Sequence, residues 1–466
     1  LLIGGCLLLT KSRSAYLASG IGLALAWLAC RSHGLRTHWK LPAALMAVVI
    51  VLAAIATLVG GLDLKVLTEA SKSLGYRMQY WQATGQIIRD HPLLGTGPGN
   101  FGDYYPQYKL PEASEEIQDP HNFVLEVWST AGAPALVALA AALGLALWRQ
   151  RRLFGQESLP IERAASARPI WIGAIAALPL AFFAGLAVGL PPAIAALLIG
   201  LCLGSATVAV LRHWVRDGRL PEMLPWVALI VLCINLLAAG GIGFPGVAGT
   251  FWLLLALLLN VSDREDAQYA GGRKMAIFAL VVSALLLGAC GVTAYVPVMK
   301  RLQWMSLALN EPTQVQQHLQ DAAAADRWSA DPWVELAQLH LVRWRQTRDE
   351  RDFQQFESAI REMLARRPRA SELWMKSGDW HLQAWRLSGD AGRLNTAIGH
   401  YRRSVELYPN SCQRRAKLAI ALRDAGWKPE ADEQRTEALR LDSLTPHADQ
   451  KLPAELRAEL LRNSAT

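Results

Sequence analysis

The sequence predicts an all-α protein in two parts: a polytopic bundle of transmembrane helices, then a soluble helical-repeat domain. Three observations carry that reading. Of the 466 residues 52% are hydrophobic, and up to Val298 they collect in separate apolar runs. Most of these runs have the roughly 20 residues needed to cross a hydrocarbon core of about 30 Å. After Val298 the apolar runs stop and an internal repeat begins. The expected division is therefore a membrane part over residues 1–298 and a repeat domain over 299–466.

Along the chain, the opening LLIGGCLLLT has no methionine, no basic flank and no cleavage site. It reads as the tail of a helix whose beginning is missing, and the chain as a fragment rather than one that opens on a signal peptide. Apolar segments follow at 14–30, 41–60, 122–148, 169–188, 193–211, 223–240, 246–261 and 275–297. The linkers Arg31 to Lys40, Arg149 to Arg168, Arg212 to Glu222 and Ser262 to Lys274 each hold at least three basic residues, whereas Gly189 to Pro192 and Gly240 to Gly246 hold none. Basic linkers stay on the cytoplasmic side, so by parity the long loop 61–120 and everything after 298 face outward, as periplasm. Lys11 and Arg13 lie at an outer helix end against this rule, which suits either a role in holding an anion or two snorkelling side chains.

The net charge of +8 is spread over the short linkers between apolar runs, so it speaks for membrane topology and not for nucleic acid as a partner. Five of the six cysteines lie in apolar runs and there is no CxxC, so neither a disulfide framework nor a zinc site is supported.

The longest polar interval before Lys300 runs from Tyr76 to Glu126. Residues 71–90 suit a helix, with Leu74, Met78, Trp81, Thr84, Gly85 and Ile88 at spacings of three and four. Arg77 lies on it beside Tyr80 and Trp81. HPLLGTGPGNF cannot continue that helix, because Pro92, Gly95, Gly97, Pro98 and Gly99 break it. Backbone of this kind either makes a tight structural turn or turns its N–H groups toward an anion. The acidic run from Pro111 to Asp119 reads as a solvated, mobile flap. In DPHNF, Asp119 or Asn122 can cap the next helix, and His121 sits at its polar–apolar boundary. There an imidazole can take a proton from a hydroxyl near neutral pH, or simply cap the helix without chemistry.

In the repeat, WVELAQLHLVRW at Trp333, WMKSGDWHLQAW at Trp374 and RAKLAIALRDAG at Arg415 are spaced 41 residues apart. The second helices of the first two units end before Pro368 and Pro409. This is a helix-turn-helix repeat of tetratricopeptide (TPR) type, read as a surface for a protein partner or for holding an acceptor. His340, His381 and His400 are expected as helix-face residues with no ligand role.

Together, TKSRSAYLA at Thr10, YRMQYWQATGQIIRDHPLLGTGPGNF at Tyr76 and PHNFVLEVWSTAG at Pro120 resemble the O-antigen ligase and O-antigen polymerase superfamily. The resemblance covers roughly residues 1–150. It implies a GT-C-like membrane glycosyltransferase of the bacterial cytoplasmic (inner) membrane that needs no metal or other cofactor. Its donor would be a polyprenyl-diphosphate-linked glycan, and its acceptor a lipid, glycan or protein. Carried over by motif, Arg13 and Arg77 would hold the diphosphate and His121 would act as general base, with Lys11, Tyr80, Gly97, Asn100 and Asn122 shaping the pocket. Members of the superfamily have further helices before the SR motif, so activity of this chain alone is in question. Two other classes compete: a non-catalytic, membrane-anchored TPR scaffold of cell-envelope polysaccharide assembly, and a secondary transporter. The transporter reading calls for ionisable residues inside the apolar segments, and those between Ile170 and Val298 hold almost none.

Overall fold

The computed structural model describes residues 13–32, 70–113, 115–153, 224–261 and 270–462. The expected apolar segments at 41–60, 169–188 and 193–211, and Lys11, lie outside the described residues. Among the described residues every regular element is helical and there is no strand. The helices before the repeat are α1 (Arg13–Ser32), α2 (Ala70–Asp90), α3 (Phe101–Tyr108), α4 (Phe123–Leu153), α5 (Leu224–Ala239), α6 (Pro245–Val261) and α7 (Ala270–Cys290). Two stretches are long and apolar enough to cross a membrane, Phe123–Trp148 and Ile277–Asn310, and Pro225–Ala239 and Gly246–Leu259 are shorter apolar helices.

Helices α4, α5 and α6 share one apolar core, in which Phe123, Leu229, Leu236 and Phe251 are buried. Helix α1 packs on α5 at Gly22, where a Cβ would run into the side chain of Val231. Helix α4 is bent at Gly132, whose φ of 80° is open to glycine and costly for other residues. A side chain there would strike the Leu93 carbonyl, so the bend is where the 91–100 loop seats itself.

Helix α7 passes through a π-turn at Gly291–Tyr295 into α8 (Val296–Asn310). The boundary expected at 298 thus falls inside a continuous helix, and the chain leaves the apolar region without a linker. The C-terminal part is a series of helix pairs. They are α8 with α9 (Val315–Ala325), α10 (Asp331–Thr347) with α11 (Glu350–Arg366), α12 (Ser371–Ser388) with α13 (Ala391–Leu407), and α14 (Cys412–Asp424) with α15 (Lys428–Leu444). A last helix, α16 (Ala454–Leu461), closes on α14.

The 41-residue interval reappears in the turns within pairs. Asp349 and Asp390 cap α11 and α13 by accepting from the N–H groups of Arg351 and Gly392. Just before them, Arg348 and Gly389 end α10 and α12 in the left-handed conformation. His340 and His381 are buried in the packing between helices and not held on an open helix face.

Candidate active site

Helix α2 buries Tyr80, Ala83, Thr84, Ile87 and Ile88, whereas Leu74 and Met78, expected on the same face, are exposed. Tyr80, Ala83 and Ile87 meet Phe101 and Tyr105 of α3 in a small core that also takes in Ile117. That last contact changes the reading of the acidic run: Ala113 and Ile117 are buried, and the Tyr80 hydroxyl donates to a Glu115 carboxylate oxygen. Residues 109–120, without the undescribed Ser114, form a packed strap and not a solvated flap. Its buried apolar side chains, together with the Tyr80–Glu115 bond, hold it against α2 and α3.

The strap ends in a tight turn at the head of α4. The backbone N–H of His121 donates to Asp119 Oδ1 at 2.8 Å, and its Nδ1 lies 2.9 Å from the same oxygen. A carboxylate only accepts, so Nδ1 carries the proton and Nε2 is left with a lone pair. His121 holds a left-handed φ of 51°, one of two such non-glycine residues among those described. A conformation of that kind costs of order 1–3 kcal/mol and persists only where the surroundings enforce it. Three contacts do so here. Trp81 Nε1 donates to the Pro120 carbonyl at 3.1 Å. Asn122 caps α4, its Oδ1 accepting from the N–H groups of Val124 (3.0 Å) and Leu125 (3.2 Å). The turn between α5 and α6 presses on the other side: a Cβ at Gly240, whose φ is 67°, would meet Asp119 Oδ1 and the His121 Cα. Glu126, one turn into α4, ties down the same α5–α6 turn by accepting from the Gly243 N–H at 3.1 Å.

The charges around the imidazole act in a definite order. Hydrogen bonding to Asp119 raises the His121 pKa, burial opposes this, the Asp119 charge adds to the rise, and the charge of Arg77 lowers it, leaving a net upward shift. Burial alone would raise Asp119; the hydrogen bonds from the His121 ring and backbone outweigh it and hold the carboxylate below its ordinary value. The ring of Tyr80 stands edge-on to the imidazole, with centroids 5.9 Å apart. Burial, then the bond to Glu115, pushes the Tyr80 hydroxyl well up, so Tyr80 stays protonated at neutral pH.

Of the expected residues, His121, Tyr80 and Asn122 come together at this turn, and Arg77, on α2 just before Tyr80, is near enough for its charge to lower the His121 pKa. Gly97 and Asn100 do not. The Gly97 N–H donates to the Thr130 carbonyl at 2.9 Å and Asn100 Nδ2 to the Thr96 carbonyl at 3.0 Å. Both therefore serve to seat the loop about two turns along α4 from Asn122, and the Gly97 N–H is not turned to an anion. Arg13 opens α1, and its side chain lies outside the described residues. Asp119 as the imidazole's partner, Glu126 and the GGIGF turn at Gly240–Phe244 were not foreseen. A carboxylate two residues before the histidine, and an acid inside an apolar run, were the available signals. Among the described residues no group of three or more His, Cys, Asp or Glu is placed to hold a metal.

The family model described as O-antigen ligase matches residues 1–140, which takes in α1, α2, the strap, the Asp119–His121 turn and the head of α4. This supports the O-antigen ligase family, and with it a membrane-integral, glycosyl-transferring protein. No curated protein matches the chain.

Proposed function

We propose that the chain transfers a glycan from a polyprenyl-diphosphate carrier to a hydroxyl of a lipid, glycan or protein acceptor, at the periplasmic face of the bacterial cytoplasmic membrane. The observation that carries this is the Asp119–His121 pair, held in a strained turn at the head of an apolar helix with the charge of Arg77 acting on the same ring. In the proposed step the acceptor oxygen attacks the anomeric carbon and passes its proton to His121 Nε2. The bond from that carbon to the phosphate oxygen breaks, and its electron pair leaves with the diphosphate. Attack opposite the leaving group inverts the anomeric centre. Arg77 and Arg13 neutralise the charge that builds on the diphosphate, which guanidinium groups do through paired hydrogen bonds. Asp119 orients the imidazole and stabilises it once it is protonated.

The packing of α1 supports a place for Arg13 at this site. Arg13 precedes Gly22 by nine residues and Gly240 follows Val231 by nine, and Gly22 meets Val231. With the two helices antiparallel, as the basic-linker count requires, Arg13 and Gly240 each stand about 13 Å from that contact at the same level. Gly240 in turn touches Asp119 and His121.

The test compares His121→Ala and Arg77→Ala with wild type in a strain lacking the chromosomal copy, with membrane accumulation of each variant checked. Loss of transfer in both, with carrier-linked glycan building up, is the expected result. Unchanged transfer in both variants would favour the scaffold reading instead.

A further inference from the structure

The turns that join one C-terminal helix pair to the next form a row: the first closes on the pair before it, and the later ones grip the chain's outer loop. In the first, Asp326 and Asp331 hold Arg301 of α8 at 3.1 and 2.5 Å. In the second, Arg367 donates to both carboxylate oxygens of Asp103 on α3, at 2.5 and 3.2 Å. Beside it Arg369 donates to Gln107 at 3.0 Å and lies 4.1 Å over the ring of Tyr104. In the third, the Tyr408 hydroxyl accepts from the Lys109 ammonium, and Asn410 Nδ2 donates to the Lys109 carbonyl at 2.6 Å. After α15, His447 meets the Tyr76 hydroxyl at 3.2 Å.

These contacts keep register with the repeat. Asp326, Arg367 and Tyr408 are spaced 41 residues apart, as are Arg369 and Asn410. The Asp326 turn uses its position to hold α8, whereas from Arg367 on the equivalent positions meet successive parts of one ligand, as stacked repeats do for an extended partner. Here that ligand is the chain's own outer loop.

We infer that the second and third inter-pair turns, with His447 after α15, are a docking track for residues 76–109 of the same chain, and that this docking fixes the strap on which His121 depends. The track touches the loop at Tyr76, next to Arg77, and at Lys109, where the strap begins. Lys109 is only 4% exposed, although it carries an ammonium group. From it the strap runs to Glu115, which binds Tyr80, whose ring stands against His121. The helix pairs therefore act as a positioning domain for the site, and an outside protein partner has to use another of their faces. The positioning role rests on the proposed function; the docking does not.

The experiment uses the full chain in membranes of a strain lacking the chromosomal copy. Asp103→Arg and Arg367→Asp are made singly and together, and Asn410→Ala, which leaves every charge in place, serves as a milder break. Trypsin cleavage after Lys109 reads docking, and glycan transfer reads the site. Each single charge reversal is expected to expose Lys109 to trypsin and to lower transfer several-fold. The double reversal is expected to recover both, and Asn410→Ala to shift both in the same direction by less. Lys109 protected in the single variants and in Asn410→Ala, or a double variant as open as the singles, would overturn the docking. Lys109 cleaved with transfer unchanged would overturn the positioning role. His121→Ala separates the two readings, since it should abolish transfer while Lys109 stays protected.

Discussion

Two groups of histidines in this chain show what surroundings do to one side chain. His121 is half-exposed at the head of α4, hydrogen-bonded to a carboxylate, in a strained backbone, with its pKa raised. His381 and His400 lie between α12 and α13, their rings 4.9 Å apart and edge to face. Their partners are the Ser377 carbonyl and the Ser377 hydroxyl. Burial lowers the pKa of both, that of His400 to about 4. The first environment stabilises a proton on the ring; the second excludes one. A histidine with a carboxylate partner and an open nitrogen is set up to exchange a proton, whereas one packed edge-on against another imidazole is held neutral.

The contrast breaks most sharply under substitution. His121→Ala should reduce transfer by on the order of a hundredfold or more, the usual worth of a general base, with little loss of folded protein in the membrane. His381→Ala should do the reverse: it should cost about 2 kcal/mol of stability by opening a cavity, and leave transfer per folded molecule near wild type. Thermal unfolding and transfer, measured on the same preparations, would expose a wrong assignment at either place.

Acid sharpens the difference. With His400 near 4 when folded and about 6.5 when unfolded, the unfolded chain binds more protons between those values, so this term stabilises above about pH 6.5 and is lost as pH falls toward 4. For His121 the sign is opposite: its raised pKa contributes stability at low pH that is lost as pH rises through the shifted value. Hydrogen exchange followed from pH 7 to 5 should therefore show α12 and α13 loosening while the Asp119–His121 turn holds. The last substitution is at Gly240. Gly240→Ala costs roughly 1 kcal/mol for the left-handed backbone alone and drives a Cβ into Asp119 Oδ1 and the His121 Cα, so the pair must shift and transfer should fall several-fold.

Much of this was legible locally. The helix expected at 71–90 is found at Ala70–Asp90, α4 begins one residue past Asn122, and the 41-residue interval fixes the caps at Asp349 and Asp390. His121 stood out at a polar–apolar boundary, where the residues alone left capping and proton transfer both open and the motif resemblance assigned it a role. What could not be read came from contacts between distant parts of the chain. Asp103 meets Arg367 across 264 residues, and Gly243 meets Glu126 across 117. Neither contact leaves a periodic trace. Periodicity also misjudged the buried face of α2, because it says which residues share a face and not what that face meets. The acidic strap misled for a related reason: its buried apolar side chains outweigh the solvation that its composition suggests.

The most direct test of the central claim is the rate of transfer against pH for wild type and Asp119→Asn. If His121 accepts the acceptor's proton and Asp119 raises its pKa, activity appears as pH rises through that pKa. Removing the carboxylate charge lowers the pKa, so the acid limb should move to lower pH while the maximal rate falls, because the imidazole loses its orienting partner. An acid limb at the same pH in both proteins would contradict His121 as the base that Asp119 tunes.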